Sequence, residues 1–445
     1  MDGPDPLLLS RIQFGVTIGF HILFPSLNIG LAGWIAILEF RWLRSGDPVI
    51  GRLVQRWTHV FAIAFGMGVV SGIVLSYEFG TNWSVFSERT GNVLGPLLAY
   101  EVLTAFFLEA SFLGIMLFGR SRVPRGVHFF ATCMVALGTL ISAFWVLAAN
   151  SWMHTPAGFV ENAGRFDVVD WFAVVFNPSF PYRLAHMVTA AYLTAGFVIA
   201  GVGAWHLLRG RAADEGRIML CSALPLLAVL APLQVFIGDL HGLQVRDYQP
   251  AKLAAIEAHW ETGPMPLILF AWPDMAAARN RMEIAVPKLG SLIVTHSLDG
   301  TVTGLKAYAP EDRPHVPIVF WSFRVMVAIG VVMLFAAFAG IVLWLRGRLF
   351  TARWYLRLMT LAMPSGFIAV LAGWITAEVG RQPWIVQGLM RTADGVSPVP
   401  GSSVAASLVL FVLVYGVVFS AGLYYMAHLL RDGASAEAAS GKEGR

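Results

Sequence analysis

A glutamate and an arginine close a long apolar run in the C-terminal part of the chain. Glu378 follows roughly 20 residues, 358–377, that carry no charged side chain, and Arg381 comes within one further turn. A run of that length spans a bilayer, so the carboxylate must be paired, hydrated or coordinated there. An ordinary interfacial glutamate at a helix end is the alternative, and the polar residues of the other apolar runs decide between the two.

Three other apolar runs carry side chains that can ligate iron. They are His21, His186 and Met326, each in a different run. Imidazole and thioether groups suit haem iron, and Glu378 adds an oxygen ligand. A single membrane histidine usually bonds to a neighbouring helix, and a single methionine is usually core. The haem prediction therefore depends on these residues converging on one side of the membrane.

Glu101 and Glu109 share one apolar run and could move protons. In a regular helix, eight residues separate two side chains by about 12 Å along the axis and about 80° around it, so one face could present both. Buried carboxylates spaced in this way are typical of proton relays. Two independent capping or packing carboxylates are the alternative.

The composition predicts that these residues are positioned by membrane helices. The 445 residues are 57% hydrophobic and 13% charged, whereas a soluble protein carries about 25% charged residues. Two cysteines in apolar runs give neither a disulfide framework nor a thiolate metal site. No C-x-x-C-H sequence is present, which excludes covalent c-type haem. The net charge of +4 does not indicate nucleic acid as a partner.

We predict an all-α polytopic protein with nine spans, at roughly 11–40, 57–79, 93–118, 127–150, 184–208, 218–238, 318–345, 355–379 and 404–430. Arginines crowd the odd-numbered connections, so the positive-inside rule places the N-terminus outside and the C-terminus in the cytoplasm. All four candidate iron ligands then lie in the outer half of the membrane. Residues 1–431 are predicted to form one membrane domain, followed by a polar, disordered tail at 432–445.

Two further features belong to the connections and the cytoplasmic side. The sixth connection, about 239–317, is the one long loop, and residues 252–262 within it are predicted to form a short amphipathic helix. His59, His128, His206 and His428 fall near cytoplasmic helix ends and are predicted to be interfacial. Of these, His128 is also a candidate for a proton entrance.

Five segments in order carry a family resemblance: 79–83, 101–109, 252–262, 323–326 and 373–384. Through them the chain resembles subunit I of the cytochrome bd-type quinol oxidases over nearly its whole length. The resemblance implies a nine-helix subunit of the bacterial cytoplasmic membrane that holds three haems near the outer face. It also implies a second, homologous membrane subunit, often a single-helix small subunit, and quinol, oxygen and membrane lipids as partners.

The resemblance also implies roles for individual residues. His186 and Met326 match the axial ligands of the low-spin haem b, and His21 and Glu378 match ligands of the high-spin pair, without showing which serves which haem. The other matches are Arg324 and Arg381 near the haems, Trp374 between haems, Lys252 and Glu257 in the quinol-oxidising loop, and Glu101 with Glu109 in the proton path.

The short external loop and residues 238–242 resemble the cyanide-insensitive branch of the family. There a third haem b replaces haem d, so the high-spin haem b has either haem d or haem b as its neighbour. The implied function is a quinol:oxygen oxidoreductase that generates protonmotive force without pumping. Two alternatives remain: a non-catalytic haem b anchor, which needs bis-histidine pairs, and a proton-coupled transporter, for which inverted repeats are typical.

Overall fold

Nine helical segments in this computed structural model, which describes residues 4–431, are long and apolar enough to span a membrane. The helices are α1 (Pro6–Ser45), α2 (Pro48–Thr81), α3 (Ser84–Glu101), α4 (Phe107–Phe118), α5 (Arg125–His154), α6 (Trp171–Val175), α7 (Phe180–Arg209), α8 (Ala213–Tyr248), α9 (Pro250–Ile256), α10 (Leu289–Thr295), α11 (Val316–Leu345), α12 (Arg353–Leu361), α13 (Ser365–Val379) and α14 (Gly401–Arg431). The third span joins α3 to α4, and the eighth joins α12 to α13. The predicted all-α fold with nine spans is confirmed, and the predicted tail at 432–445 lies outside the described residues.

Capping signals explain the tight turn between the first two spans. Gly46 ends α1 in the left-handed conformation, at φ 66°, which glycine adopts without steric cost. Asp47 then caps α2, because its side chain accepts a hydrogen bond of 2.8 Å from the backbone nitrogen of Val49. Pro48 occupies the first helical position, where no amide hydrogen is needed. The chain therefore reverses direction within two residues.

The longer connections all lie at the opposite end of the bundle and contain every strand in the described part of the chain. The strands are β1 (Phe159–Asn162), β2 (Arg165–Val168), β3 (Gly263–Pro264), β4 (Leu267–Asp274), β5 (Arg279–Val286), β6 (Thr301–Val302), β7 (Trp384–Val386) and β8 (Met390–Arg391). They form antiparallel pairs β1–β2, β3–β6, β4–β5 and β7–β8. The even-numbered connections thus build a folded cap over one end of the helices.

The long loop differs from its prediction in two ways. Helix α8 continues to Tyr248, ten residues beyond the predicted end of the sixth span at 238. The predicted amphipathic helix over 252–262 is shorter and is not amphipathic: α9 ends at Ile256, and residues 252–256 are all buried. Ala258 has φ 48°, a left-handed conformation that no helix continues through.

The centre of the bundle is formed by α1 and α7. In the most apolar windows of these helices, 67% and 72% of the residues are buried, against 17% for the window of α14. Leu31, Trp57, Phe197 and Leu220 are fully buried members of the main core, which lies between α1, α2, α7 and α8. Outer helices such as α14 present apolar side chains outward, as a lipid-facing surface requires.

A π-helical turn, Val102–Phe106, interrupts the third span between Glu101 and Glu109. The prediction assumed a regular helix, which would separate the two carboxylates by about 80° around the axis. A π turn takes one additional residue, so the eight residues turn about as far as seven would, and the separation falls to about 20°. The interruption therefore aligns the two glutamates more closely than the sequence suggested.

Candidate functional site

Glu378 is surrounded by hydrogen-bond donors. Its Oε1 accepts from Asn150 Nδ2 at 3.0 Å and lies 3.1 Å from His154 Nε2, while Arg381 donates to Oε2. Arg183 donates to Asn150 Oδ1 at 2.9 Å and so joins the same network. Of the three states expected for this carboxylate, the structure shows pairing with Arg381. The groups that contact it directly come from α5 and from the turn after α13.

His154 connects Glu378 to the long loop of the sixth connection. The Glu378 carboxylate, which is paired with Arg381, can only accept hydrogen bonds. His154 Nε2 must therefore carry the hydrogen, and Nδ1 of the neutral ring is left as an acceptor. Lys252 Nζ lies 2.9 Å from that Nδ1 and donates to Gln249 Oε1 at 2.7 Å. The pKa of Lys252 is well below its usual range, first because the amine is buried and then because Arg183 and Arg381 are near. A continuous hydrogen-bonded path thus runs from α9 to the end of α13.

Lys252 and Glu257 belong to the same loop but contact different partners. Arg324 donates to Glu257 Oε2 at 2.7 Å and, through Nε, to the carbonyl oxygen of Ile268 at 2.8 Å. Both members of this ion pair are largely buried. The structure therefore brings Glu257 to the α11 helix and Lys252 to the Glu378 network, a separation that their proximity in sequence does not indicate.

His186 and Met326 lie in a part of the bundle with space beside each side chain. Helices α8 and α13 each pack against both α7, which carries His186, and α11, which carries Met326. A Cβ on Gly238 would lie 3.5 Å from His186 Cε1, and a Cβ on Gly373 would lie 2.9 Å from Met326 Sδ. Glycine at these two positions keeps side chains away from both predicted ligands.

Several buried nitrogens in this region have no hydrogen-bond partner in the described chain. They are His186 Nδ1, His241 Nε2, Arg183 Nε and Arg381 Nε. The rings of His186 and His241 are neighbours, with centroids 5.7 Å apart. A buried donor without a partner costs about 1–3 kcal/mol, and more when it is charged, so such groups are rarely left unused. These atoms fit haem, because imidazole can bind iron and arginine can bind propionate carboxylates.

His21 has its tautomer determined by Ser71. The serine hydroxyl hydrogen bonds to the backbone carbonyl of Met67 or Gly68, each at 3.0 Å. Its oxygen is therefore an acceptor for His21 Nδ1, also at 3.0 Å. That contact leaves Nε2 of the neutral ring with a free lone pair, the form in which histidine binds metals.

The two glutamates of the third span have different environments. Glu101 accepts a hydrogen bond of 2.7 Å from Ser142 on α5, whereas Glu109 Oε1 is buried without a partner in the described chain. A Cβ on Gly138 would lie 2.5 Å from Glu109 Cγ, so the carboxylate occupies space that only glycine leaves open. Both face the interface between the third span and α5.

The predicted residues do not form a conventional metal cluster. Within residues 4–431, no three His, Cys, Asp or Glu side chains come together closely enough to hold a metal ion. Haem needs only one or two protein ligands because its porphyrin supplies the others, so separate ligands fit haem and not a bare ion. Trp374 lies one turn before Glu378 on the same side of α13.

The sequence prediction missed three members of the Glu378 network: Asn150, His154 and Gln249. Asn150 and His154 occupy the last turn and a half of the fourth span. The only sign of their role in the sequence was the presence of an amide and a histidine in an apolar helix. Gln249 caps α9 immediately before the loop residues that were singled out. None has a sequence neighbour that reveals its partner.

Comparisons with known proteins identify the family. Residues 9–434 match the family described as cytochrome bd terminal oxidase subunit I. Cytochrome bd ubiquinol oxidase subunit 1 of Bacillus subtilis (strain 168) is 37% identical, over 93% of this chain and 90% of the relative. Cytochrome bd-II ubiquinol oxidase subunit 1 of Escherichia coli (strain K12) is 33% identical, over 97% of this chain and 98% of the relative.

A solved structure agrees with these relatives. The bd oxidase from Geobacillus thermodenitrificans superposes with a TM-score of 0.89 at 34% identity, covering 97% of this chain and 99% of that one. The nine candidate spans and the bacterial relatives make this chain a multi-pass inner-membrane protein. The chain belongs to the cytochrome bd terminal oxidase subunit I family.

Proposed function

We propose that this chain is the haem-carrying subunit of a terminal quinol oxidase. Quinol is oxidised at the outer face, and oxygen is reduced to water with protons taken from the cytoplasm. The family assignment supports the oxidase class, and the relatives named above are ubiquinol oxidase subunits. The observation that carries the proposal is the buried path Lys252–His154–Glu378, which links the external loop to the candidate haem region.

The outer loop provides a base for quinol. Glu257 lies in the loop with its carboxylate paired to Arg324, and it is the candidate proton acceptor there. Oxidation of one quinol releases two electrons and two protons. Glu257 or a neighbouring carboxylate takes one proton, and the other leaves to the outside. Lys252, with a depressed pKa, contributes a hydrogen-bond donor at the start of the path to Glu378.

Four side chains would ligate the haems. Haem supplies one-electron storage and the iron at which oxygen is reduced. His186 and Met326 would hold a low-spin haem b, and His21 and Glu378 would hold the high-spin haem b and its neighbour, haem d or a third haem b. Three residues would lie around these groups: Arg324 and Arg381, which suit propionates, and Trp374, an aromatic between haems.

Glu109 and Glu101 would carry protons from the cytoplasm toward the oxygen site. Reduction of one oxygen molecule to two waters consumes four protons and four electrons, which two quinols supply. Because quinol protons leave outside and oxygen protons come from inside, charge is separated without a pump. The complex is completed by a second homologous membrane subunit and by a single-helix small subunit.

The test is quinol-driven oxygen uptake by the purified complex, together with its absorption spectrum and a pyridine haemochrome analysis. We expect about three haems per complex. A far-red band would assign haem d, and haem b alone would assign the cyanide-insensitive branch. Absence of haem would overturn the proposal in favour of a transporter, and haem without oxygen uptake would favour the electron-carrying anchor.

A pair of variants tests the path itself. His154→Leu removes both of its contacts, so we expect oxygen uptake to fall by at least about tenfold with the haem content retained. His259→Gln is the matched control, because His259 is also buried but bonds to backbone groups, such as the Val302 carbonyl at 3.2 Å, and contacts neither Lys252 nor Glu378. Equal oxygen uptake by the two variants would show that the Lys252–His154–Glu378 path has no part in the mechanism.

A further inference from the structure

A further buried carboxylate lies at the end of the bundle away from Glu378. Glu39 on α1 is fully buried, and its Oε1 is 2.5 Å from His128 Nδ1 on α5. Its Oε2 accepts a hydrogen bond of 2.6 Å from Thr132, one turn after His128. His128 itself is 4% exposed, so it faces other helices and is not a solvent-exposed residue of the helix end. His206, predicted in the same way, is also buried.

The Glu39 cluster continues the series of contacts made by Glu101 and Glu109. The third span and α5 are antiparallel neighbours, in which Glu101 meets Ser142 and Glu109 meets Gly138. The next contact along the same interface joins the Met116 carbonyl to His128 Nε2, at 3.1 Å. Met116 lies seven residues from Glu109, about 10 Å along the helix and nearly on the same face. The three stations are thus similarly spaced.

The hydrogen bonds of the Glu39 cluster require one shared proton. A backbone carbonyl only accepts, so His128 Nε2 carries a hydrogen. Two lone pairs cannot face each other at 2.5 Å, so one more proton lies between His128 Nδ1 and Glu39 Oε1. That proton can belong to either atom while the pair stays neutral overall. The pair can therefore pass a proton onward and regain one without burying a net charge at rest.

A cavity connects the cluster to the protein surface. Its volume is about 70 Å³, enough for several waters, since one needs about 10–15 Å³. The lining includes His128 together with the exposed residues Gln55 and His59, and Arg120 brings a positive charge. The residues facing His128 that can change or carry charge are thus Glu39, His59 and Arg120. The cavity thus gives solvent a route to His128, one member of the buried pair.

We propose that Glu39 and His128 form the uptake station of the proton path, accepting protons from the cavity and passing them to Glu109. Thr132 orients the Glu39 carboxylate and is a positioning residue. This proposal rests on the proposed function, because it extends the path of Glu109 and Glu101 to the cytoplasmic surface. It assigns a role to Glu39, which belongs neither to the predicted pair of Glu101 and Glu109 nor to the predicted iron ligands.

The test follows proton uptake in a single turnover. The purified, fully reduced complex is mixed with oxygen in the presence of a pH indicator dye, and haem spectra are recorded in the same sample. Glu39→Gln and His128→Gln are expected to slow proton uptake by at least about tenfold while the reduced spectrum is unchanged. Glu39→Asp, which keeps a carboxylate, is expected to restore part of the rate.

His206→Gln is the matched control. His206 is a buried histidine near the same end of the bundle, and its Nε2 lies 3.0 Å from the Leu430 carbonyl, away from the third span. Its substitution should leave proton uptake unchanged. If His206→Gln slowed uptake as much as His128→Gln does, a general packing effect would explain both and the proposal would be wrong.

Glu109→Gln separates this proposal from the proposed function. Slow uptake in Glu109→Gln with normal uptake in Glu39→Gln and His128→Gln would overturn the uptake station and leave the glutamate path standing. Normal uptake in Glu109→Gln would instead overturn the path on which the station depends. If Glu39→Gln failed to assemble with haem, the test would use the proton-uptake rates of His128→Gln and Thr132→Val, which both retain Glu39. Normal proton uptake in both variants would overturn the uptake station.

Discussion

Charge is unbalanced around Glu378. Arg381 and Arg183 belong to its network, and Lys252 reaches it through His154, so one carboxylate faces several basic groups. Excess buried positive charge is costly unless anions offset it. The unpartnered Nε atoms of Arg183 and Arg381 are the donors that incoming carboxylates would use. The negative charge of an anionic cofactor would therefore balance the excess positive charge around Glu378.

Lys252 predicts a pH dependence of stability. Its folded-state pKa lies well below the model-compound value of 10.5, so between the two values the unfolded chain binds the additional proton. Stability from this group is fully present above pH 10.5 and is lost as pH falls toward the folded-state pKa. Within that window we expect up to about 1.4 kcal/mol of unfolding free energy per pH unit.

The measurement is thermal unfolding of the complex between about pH 7 and 10.5, compared with Lys252→Met. Methionine cannot be protonated, so the variant should lack the part of the slope that Lys252 contributes. Parallel pH profiles for the two proteins would show that Lys252 stays charged when folded.

At the scale of elements, the π turn and Gly138 of α5 act together. The turn brings Glu101 and Glu109 near one face, and Gly138 leaves room for the second carboxylate where that face meets α5. A regular helix would direct Glu109 farther around the axis, away from this position. The proposed proton path therefore depends on an irregular helix packed against a small residue.

Gly138→Ala tests this arrangement. The added methyl would lie 2.5 Å from Glu109 Cγ, so the carboxylate must move. We expect oxygen uptake to fall by about tenfold with little change in haem content. Gly126→Ala is the control on the same helix, because a Cβ there meets no atom within 4 Å. Equal oxygen uptake in both variants would show that the position of Glu109 is not critical.

At the scale of the whole molecule, the two ends of the bundle differ in structure and charge. One end has short connections rich in arginine, and the other carries the folded cap with all strands of residues 4–431. Lys252 and Glu257 lie at the cap, whereas Glu39 and His128 lie at the other end. In the proposed mechanism, the orientation of the chain determines from which side protons enter and leave.

Cysteine labelling tests the orientation. The two native cysteines are half-buried within spans, so single additions can be compared against a low background. Ser297→Cys adds an exposed thiol in the sixth connection, and Thr351→Cys adds one in the seventh. A membrane-impermeant maleimide applied to intact cells should label the first and not the second. The reverse pattern would invert the proposed direction of proton movement.

Sequence reasoning succeeded where the information is local. Span length and the absence of charge predicted nine helices, and the isolated polar residues within them marked Glu378, His21 and His186 as candidates. The same reasoning was wrong for the helix over 252–262, because burial on all sides and the backbone conformation of Ala258 are tertiary properties. It also assumed regular geometry between Glu101 and Glu109.

The sequence by itself determined that this is a nine-helix membrane protein with ionisable groups in its spans, because bilayer thickness and the cost of burying charge act on each segment separately. Only the tertiary structure decided which group each one contacts. Lys252 meets His154, 98 positions earlier, and Glu39 meets His128, 89 positions later. Helix packing sets such partners through the combined shape of several spans, and no single stretch of sequence contains that information.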